Sequence, residues 1–542
     1  MALILKKEGI EFLSAFPTTS VIEAIAATGV RPVICRQERV GVHIADGFAR
    51  VTNGRKASVF AMQYGPGAEN AYPGVATAFS DAVPMLFLPL GHPGARESVT
   101  PMYSSLKSYD SVTKHIERIN SPERAGASLR RAFSAMRMGK PGPAMLEIPA
   151  DIAEMDVDPS IVDKYVPVKT AISGADEDDV MEAAKALLDA RRPLILAGQG
   201  VLYAEASAEL TELAELLQVA VATTMAGKSA FSEVHPLSVG SVSEVMNGAG
   251  LDYVRESDVL FGIGTSFTIQ GMVTPIPAGK TMIHATNDPI DLHKDYDADH
   301  PLLGDARIVL RQMINACKEL LSTRNREAPD TAGRIAALRS AWYGEWESKL
   351  TSSESPITPY RVFGEFMSRV DPSEAIVTHD SGSPRMQIMP FYRSDGPRSY
   401  LGWGKSHGLG TGLGLIMGAK LAQPDKFCVN FMGDAAFGMT GLDFETAVRS
   451  NIPTCTVVLN NDDMAVEVPH MELSNDRFGS RALYGRYADM ARAMGGWSER
   501  IDDPEDVGPA LVRARKATEE GKSTLLEFVT SSEQAKSNLR AF

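Results

Sequence analysis

Two short polar clusters have the residue types to bind a metal and a phosphate together. Gly433-Asp434-Ala435-Ala436 directly follows the apolar run 426–432, and Asn460-Asn461-Asp462-Asp463 directly follows the β-rich run 454–459. Asp434 and Asn461 lie 27 residues apart. A carboxylate, an amide oxygen and a nearby main-chain carbonyl are hard oxygen ligands that suit Mg²⁺, which commonly bridges to a phosphate. The small side chains at Gly433, Ala435 and Ala436 let main-chain N–H groups approach a ligand closely. The plainer alternative is an Asp that caps a helix beside an Asn-Asn turn.

Positioning these clusters calls for a β-loop-α-β unit. The run 426–432 reads as a strand, Phe444, Ala447 and Val448 recur at helical spacing, Asn451 and Pro453 stop that helix, and 454–459 reads as a second strand. If the two strands are parallel, Asp434 and the Asn pair meet at their carboxyl ends, where α/β proteins bind ligands. The fold class expected is α/β, with three doubly wound domains on parallel sheets. β-like and helical segments alternate over 1–165, again over 176–328, and again over 345–542, with a linker near 160–175.

A length of 542 residues exceeds one core, and 44% hydrophobic with 23% charged residues is ordinary for a globular protein. A net charge of −14 argues against general binding to nucleic acid or an anionic membrane. The four cysteines, Cys35, Cys317, Cys428 and Cys455, are scattered without metal spacing, so buried thiols in a reducing compartment are expected. The chain opens without a basic-then-apolar leader, and no apolar run approaches a membrane span, so a cytoplasmic location is expected.

A second candidate, Glu38, follows the β-like 33–37 and opens a helix carrying His43, Asp46 and Phe48. Alone it reads as a first-turn Glu favoured by the helix dipole. Arg36-Gln37-Glu38-Arg39, Ala45-Asp46-Gly47-Phe48-Ala49-Arg50 and Gly65-Pro66-Gly67-Ala68 with Asn70, together with the Asp434 and Asn461 clusters, resemble the 2-oxo-acid branch of thiamine diphosphate (ThDP) enzymes. Acetolactate synthases, pyruvate and benzoylformate decarboxylases and 2-hydroxyacyl-CoA lyases share this order of domains. The resemblance implies pyrimidine-binding, central and diphosphate-binding domains, in that order.

It also implies roles. Glu38 would hydrogen-bond the pyrimidine ring nitrogen, and Leu409, between Gly408 and Gly410, would support the bent cofactor. The carbonyl of His407 would face the pyrimidine amino group, and Asp380 and Ser381 would line the diphosphate. Pro66, Asn70, Gly433, Ala435, Ala436 and Met464 would complete the cofactor contacts, with Mg²⁺ held by Asp434, Asn461 and the main-chain oxygen of Asp463. In the family Glu38 faces the diphosphate domain of a second subunit, so a homodimer or homotetramer with its site at the interface is implied.

Departures bear on the substrate. Gly91-His92 stands where acetolactate synthases carry Gln, and 467–470 replaces their Trp-Gln. Gly262-Ile263-Gly264-Thr265-Ser266 lacks the Gly-Ala-Arg-Phe run of FAD-binding relatives, which argues against FAD. Glu467 stands six residues past Asn461, as a Glu does in pyruvate decarboxylases, and is either a proton donor to the decarboxylated substrate or a solvated surface group. His92 and His115 either hold a substrate carboxylate or are hydrogen-bonded structural histidines. The function expected is ThDP- and Mg²⁺-dependent decarboxylation of a 2-oxo acid such as pyruvate, with transfer to a carbonyl acceptor or to a proton. A 2-hydroxyacyl-CoA or diketone lyase and an inactive ThDP-binding subunit are the alternatives.

Overall fold

The computed structural model of the chain describes residues 1–324 and 329–542. Three six-stranded sheets follow one another along it, and every pairing between their strands is parallel. The first contains β1 (Phe12–Ala15), β2 (Arg31–Ile34), β3 (Val59–Met62), β4 (Leu86–Gly91), β5 (His115–Arg118) and β6 (Ala144–Pro149), in the order β2-β1-β3-β4-β6-β5. The central sheet comprises β7 (Pro193–Ala197), β8 (Ala220–Thr224), β9 (Ser238–Val242), β10 (Val259–Ile263), β11 (Thr281–Thr286) and β12 (His300–Leu303), ordered β12-β11-β10-β7-β8-β9. The last is built from β13 (Ala375–His379), β14 (Tyr400–Leu401), β15 (Phe427–Gly433), β16 (Cys455–Asn460), β17 (Trp497–Ile501) and β18 (Thr524–Val529), ordered β14-β13-β15-β16-β18-β17.

The first and last sheets therefore share one strand order, and the central sheet has the Rossmann order. In the last sheet the order reverses between β13 and β15, so the loops after His379 and Gly433 flank the crevice where such sheets bind ligands. β1, β5 (HIER), β6, β9, β12, β13, β14, β17 and β18 carry no strand expectation from the sequence. β5 and β12 are edge strands with charged or exposed residues, which weakens the alternation that marks a strand.

Apolar strands buried on both faces explain the continuous β-rich runs, as parallel sheets require. Phe427–Gly433 is buried apart from its half-buried final glycine, and Cys455–Asn460 is buried throughout. The expected domain limit at 328 lies outside the described residues. The expected limit at 345 falls inside the helix Thr331–Leu350, which is shared: Ile335 enters the central core and Trp342 the core of the last domain. All four cysteines are buried. Among the described residues no helix is long and apolar enough to cross a membrane.

Candidate functional site

β15 and β16 pair with Gly433 beside Leu459, so Asp434 and Asn461 emerge together at adjacent strand ends. The expected loop 433–436 is instead the start of a helix, Asp434–Thr440, with Gly433 as its extended N-cap. Asp434 is almost fully buried. Burial pushes its carboxyl up to about 6, against the main-chain N–H groups of Ala435, Asn461 and Asp462, which favour the anion. Its Oδ1 accepts the Ala435 N–H at 2.7 Å, while Oδ2 is buried without a hydrogen-bond partner. A buried carboxylate with one open oxygen and no basic side chain against it is suited to a bound cation.

The two asparagines divide the work. Asn460 is buried, and its amide donates to Glu527 at 2.8 Å, which anchors the turn to β18. Asn461 is half-buried, and its Oδ1 accepts the Asp463 N–H at 3.0 Å, leaving a second lone pair for a ligand. Among the described residues no group of three or more His, Cys, Asp or Glu side chains could hold a metal. The donor set that fits here is one carboxylate, one amide and main-chain carbonyls, which suits Mg²⁺ rather than Zn²⁺.

The Leu409 loop is pinned from two sides. Asp380, at the end of β13, is wholly buried, and its carboxylate accepts N–H groups from Ser381, Gly410 and Gly412, each at 2.8 Å. With these oxygens occupied and no exposure, Asp380 does not line a ligand surface as the sequence suggested; it holds the loop. On the other side Thr440 Oγ1 donates to the Gly410 carbonyl at 3.1 Å. Gly410 has φ +89°, and a Cβ there would stand 2.4 Å from Thr440, so only glycine fits. Leu409 is half-buried against the apolar cluster that includes Ala436 and Phe437, while His407 is exposed at the loop tip. Ser381 is buried next to Gly382, which has φ +95°.

Glu38 opens the helix Glu38–Val51 just past β2. It is 3% exposed; burial raises its pKa, and a hydrogen bond with Asn70 partly offsets this. Asn70 lies in the helix Pro66–Ser80, whose N-cap Gly65 has φ +61°. The helix Glu38–Val51 crosses the helix Thr411–Ala422 at very short range. A Cβ on Gly47 would lie 2.1 Å from the Leu415 carbonyl oxygen, and one on Gly418 2.1 Å from that of Ile44. His43 Nε2 and Thr411 Oγ1 are 3.2 Å apart, and the Arg36 N–H donates to Asp443 at 2.7 Å. None of these cross-domain partners carried a sequence signal except the glycines, whose helical positions invite close packing.

His92 follows β4, three strand steps from the end of β2, about 14 Å across the sheet edge. Its ring packs on Tyr64 with centroids 4.7 Å apart, and its Nε2 is buried without a partner. Glu467 is half-buried on the single turn Ala465–Glu467, beside the exposed Met464. His115 lies within 3.4 Å of Glu117 on its own strand, a structural pairing. A cavity of about 510 Å³ lies apart from this site, between Gly264, Thr265 and Ser266 of the central domain and Lys140 and Lys405.

Comparison with known proteins agrees with this geometry. Thiamine pyrophosphate enzyme models match in chain order: the N-terminal TPP binding domain over residues 1–113, the central domain over 180–313, and the C-terminal TPP binding domain over 380–528. The acetolactate synthase large subunit of Parasynechococcus marenigrum is 30% identical over 529 residues, covering 92% of this chain and 82% of that protein. The probable acetolactate synthase large subunit of Methanococcus aeolicus is 29% identical over 547 residues, 95% of this chain and 89% of that protein. A sulfoacetaldehyde acetyltransferase of Alcaligenes xylosoxydans xylosoxydans is 27% identical over 548 residues, 94% of this chain and 89% of that protein.

Proposed function

Because the chain belongs to the acetolactate synthase-like thiamine diphosphate enzymes, we propose that it is a ThDP- and Mg²⁺-dependent carboligase that decarboxylates a 2-oxo acid and passes the acyl carbon to a carbonyl acceptor. The observation that carries the metal assignment is the buried, unpartnered Oδ2 of Asp434 beside Asn461. Thiamine diphosphate, when bound, supplies the electron sink for loss of CO₂ and for the nucleophilic character of the acyl carbon.

The chain's own residues prepare that chemistry. Glu38 offers a carboxylate in a water-poor setting, where a hydrogen bond to a ring nitrogen is strong. Asp434, Asn461 and the carbonyl of Asp463 would hold the metal, and Asp380 and Thr440 fix the loop that presents Leu409. Gly433, Ala435 and Ala436 keep the approach to the diphosphate open. Among the described residues no hydrogen bond or ion pair joins the Glu38 carboxylate to the last domain of its own chain. Met439, Leu442, Met464, Val466, Phe478 and Tyr484 expose apolar surface around the Asp434 turn. Both observations support a homodimer in which Glu38 of one subunit serves the diphosphate domain of the other.

The test is a panel of short and aromatic 2-oxo acids with carbonyl acceptors, ThDP and Mg²⁺, read by mass spectrometry and CO₂ release. Carbon–carbon-bonded products with CO₂ are expected. No CO₂ from any donor would overturn the reading, and product formation only with coenzyme A would favour a 2-hydroxyacyl-CoA lyase.

A further inference from the structure

The turn 461–468 carries two of the metal ligands named above, and its shape is imposed from outside. After Val468 the chain leaves through the helix Glu472–Phe478, and Gly479, with φ +61°, reverses it. Residues 481–483 then return antiparallel to the turn: Met464 N–H donates to the Arg481 carbonyl at 3.1 Å, and Leu483 N–H to the Asp462 carbonyl at 2.9 Å. Asp463 and Ala482 form the bridge between the two segments.

One side chain secures this return. Arg481 Nε lies 3.3 Å from Asp463 Oδ1, an ion pair held by charge rather than by a hydrogen bond, and its Nη1 donates to the Val468 carbonyl at 3.2 Å. Its own main-chain N–H donates to Asn475 Oδ1 at 3.2 Å, so the exposed helix is tied in as well. The side chain is only 14% exposed, and Asp463 is 20% exposed, so the pair is shielded from water more than a surface pair. Ser532 and Gln534, from the tail after β18, close the other side through Asp463 Oδ2 at 3.4 Å and the Ala465 carbonyl at 3.1 Å.

We propose that Arg481 is a positioning residue for the metal–diphosphate turn: by gripping the side chain of Asp463 and the carbonyl of Val468, it aims the Asp463 main-chain oxygen and the Asn461 amide at the cation. This rests on the ThDP reading above. Asp463 thereby has two separate tasks, its main chain toward the metal and its carboxylate toward Arg481. A partner behind a ligand typically changes metal affinity by about 10- to 100-fold when removed.

The experiment is equilibrium binding of ThDP to the full chain at graded Mg²⁺, followed by intrinsic fluorescence and calorimetry, with thermal unfolding of each ligand-free variant as the control. Arg481→Ala is expected to raise the Mg²⁺ concentration needed for half-saturation about 10- to 100-fold, with Arg481→Lys recovering part of the loss. Asp463→Ala is expected to shift the Mg²⁺ dependence in the same direction as Arg481→Ala, and the double variant to lose less than the sum of the two, because both remove the same ion pair while Arg481 also loses its Val468 contact and Asp463 its Ser532 contact. Unchanged Mg²⁺ dependence in Arg481→Ala, or additive losses in the double variant, would overturn the proposal. Should Arg481→Ala fail to fold, Arg481→Lys and Asp463→Ala decide by the same readout. Failure of the unaltered protein to bind ThDP at any Mg²⁺ would instead overturn the functional reading.

Discussion

Gly47 and Leu415 touch so closely that the crossing of their helices excludes any side chain at position 47: a Cβ there would sit 2.1 Å from the Leu415 carbonyl oxygen. One helix begins at Glu38, and the other begins two residues after Leu409, so this contact sets the spacing of two site-bearing helix starts. Gly47→Ala is expected to force the helices apart and destabilise the fold by about 3 kcal/mol. A fall of several degrees in the thermal midpoint checks this. An unchanged midpoint would mean that the helices separate at no cost.

Asp434 couples stability to ligand binding. Its carboxyl is raised to about 6 by burial, so the folded protein prefers the neutral acid, and ionisation costs stability as pH rises from about 4 through 6. Asp434→Asn removes that cost. At pH 7.5 the ligand-free variant should therefore be more stable than the unaltered protein by about 3 kcal/mol and unfold at a higher temperature, yet fail to bind ThDP with Mg²⁺. Differential scanning calorimetry and titration calorimetry report the two effects separately.

Glu38→Gln should retain cofactor affinity within a few-fold but lose activity by about 10²- to 10⁴-fold, since a neutral amide is a poor proton partner. Mixing inactive Glu38→Gln with inactive Asp434→Ala chains should restore part of the activity through hybrid dimers. Recovery absent in verified hybrids would count against a site shared between subunits.

His43 is buried at the same crossing, and burial pushes its imidazole down to about 3, helped by the charges of Arg39 and Arg50. With the folded pKa below the unfolded one, His43 favours the fold above about pH 6.5, and that contribution is lost as pH falls toward 3 at about 1.4 kcal/mol per unit. His43→Gln should flatten the fall in stability between pH 6 and 4, as measured by urea unfolding at a series of pH values. An unchanged slope would mean that His43 is protonated in the fold.

Much of the site was legible locally because its parts sit where strands end. Small residues and an Asp after an apolar run, then paired asparagines after the next, place themselves at one sheet edge once the strands are parallel, and Glu38 does so in the same way. The role of Asp380 was not legible, because whether a strand-end carboxylate faces a ligand or the chain depends on Gly410 and Gly412, some 30 residues on.

The residues at strand ends, their spacing and the alternation of apolar strands with helices are local properties, so the chain alone determined the α/β class and the succession of three α/β units, and it singled out the strand-end clusters as candidates for cofactor binding. Contacts between distant segments are set by packing, which has no local pattern. The fold alone therefore decided that Gly47 meets Leu415, that Arg481 grips Asp463, and that Asp434 keeps an oxygen without a partner.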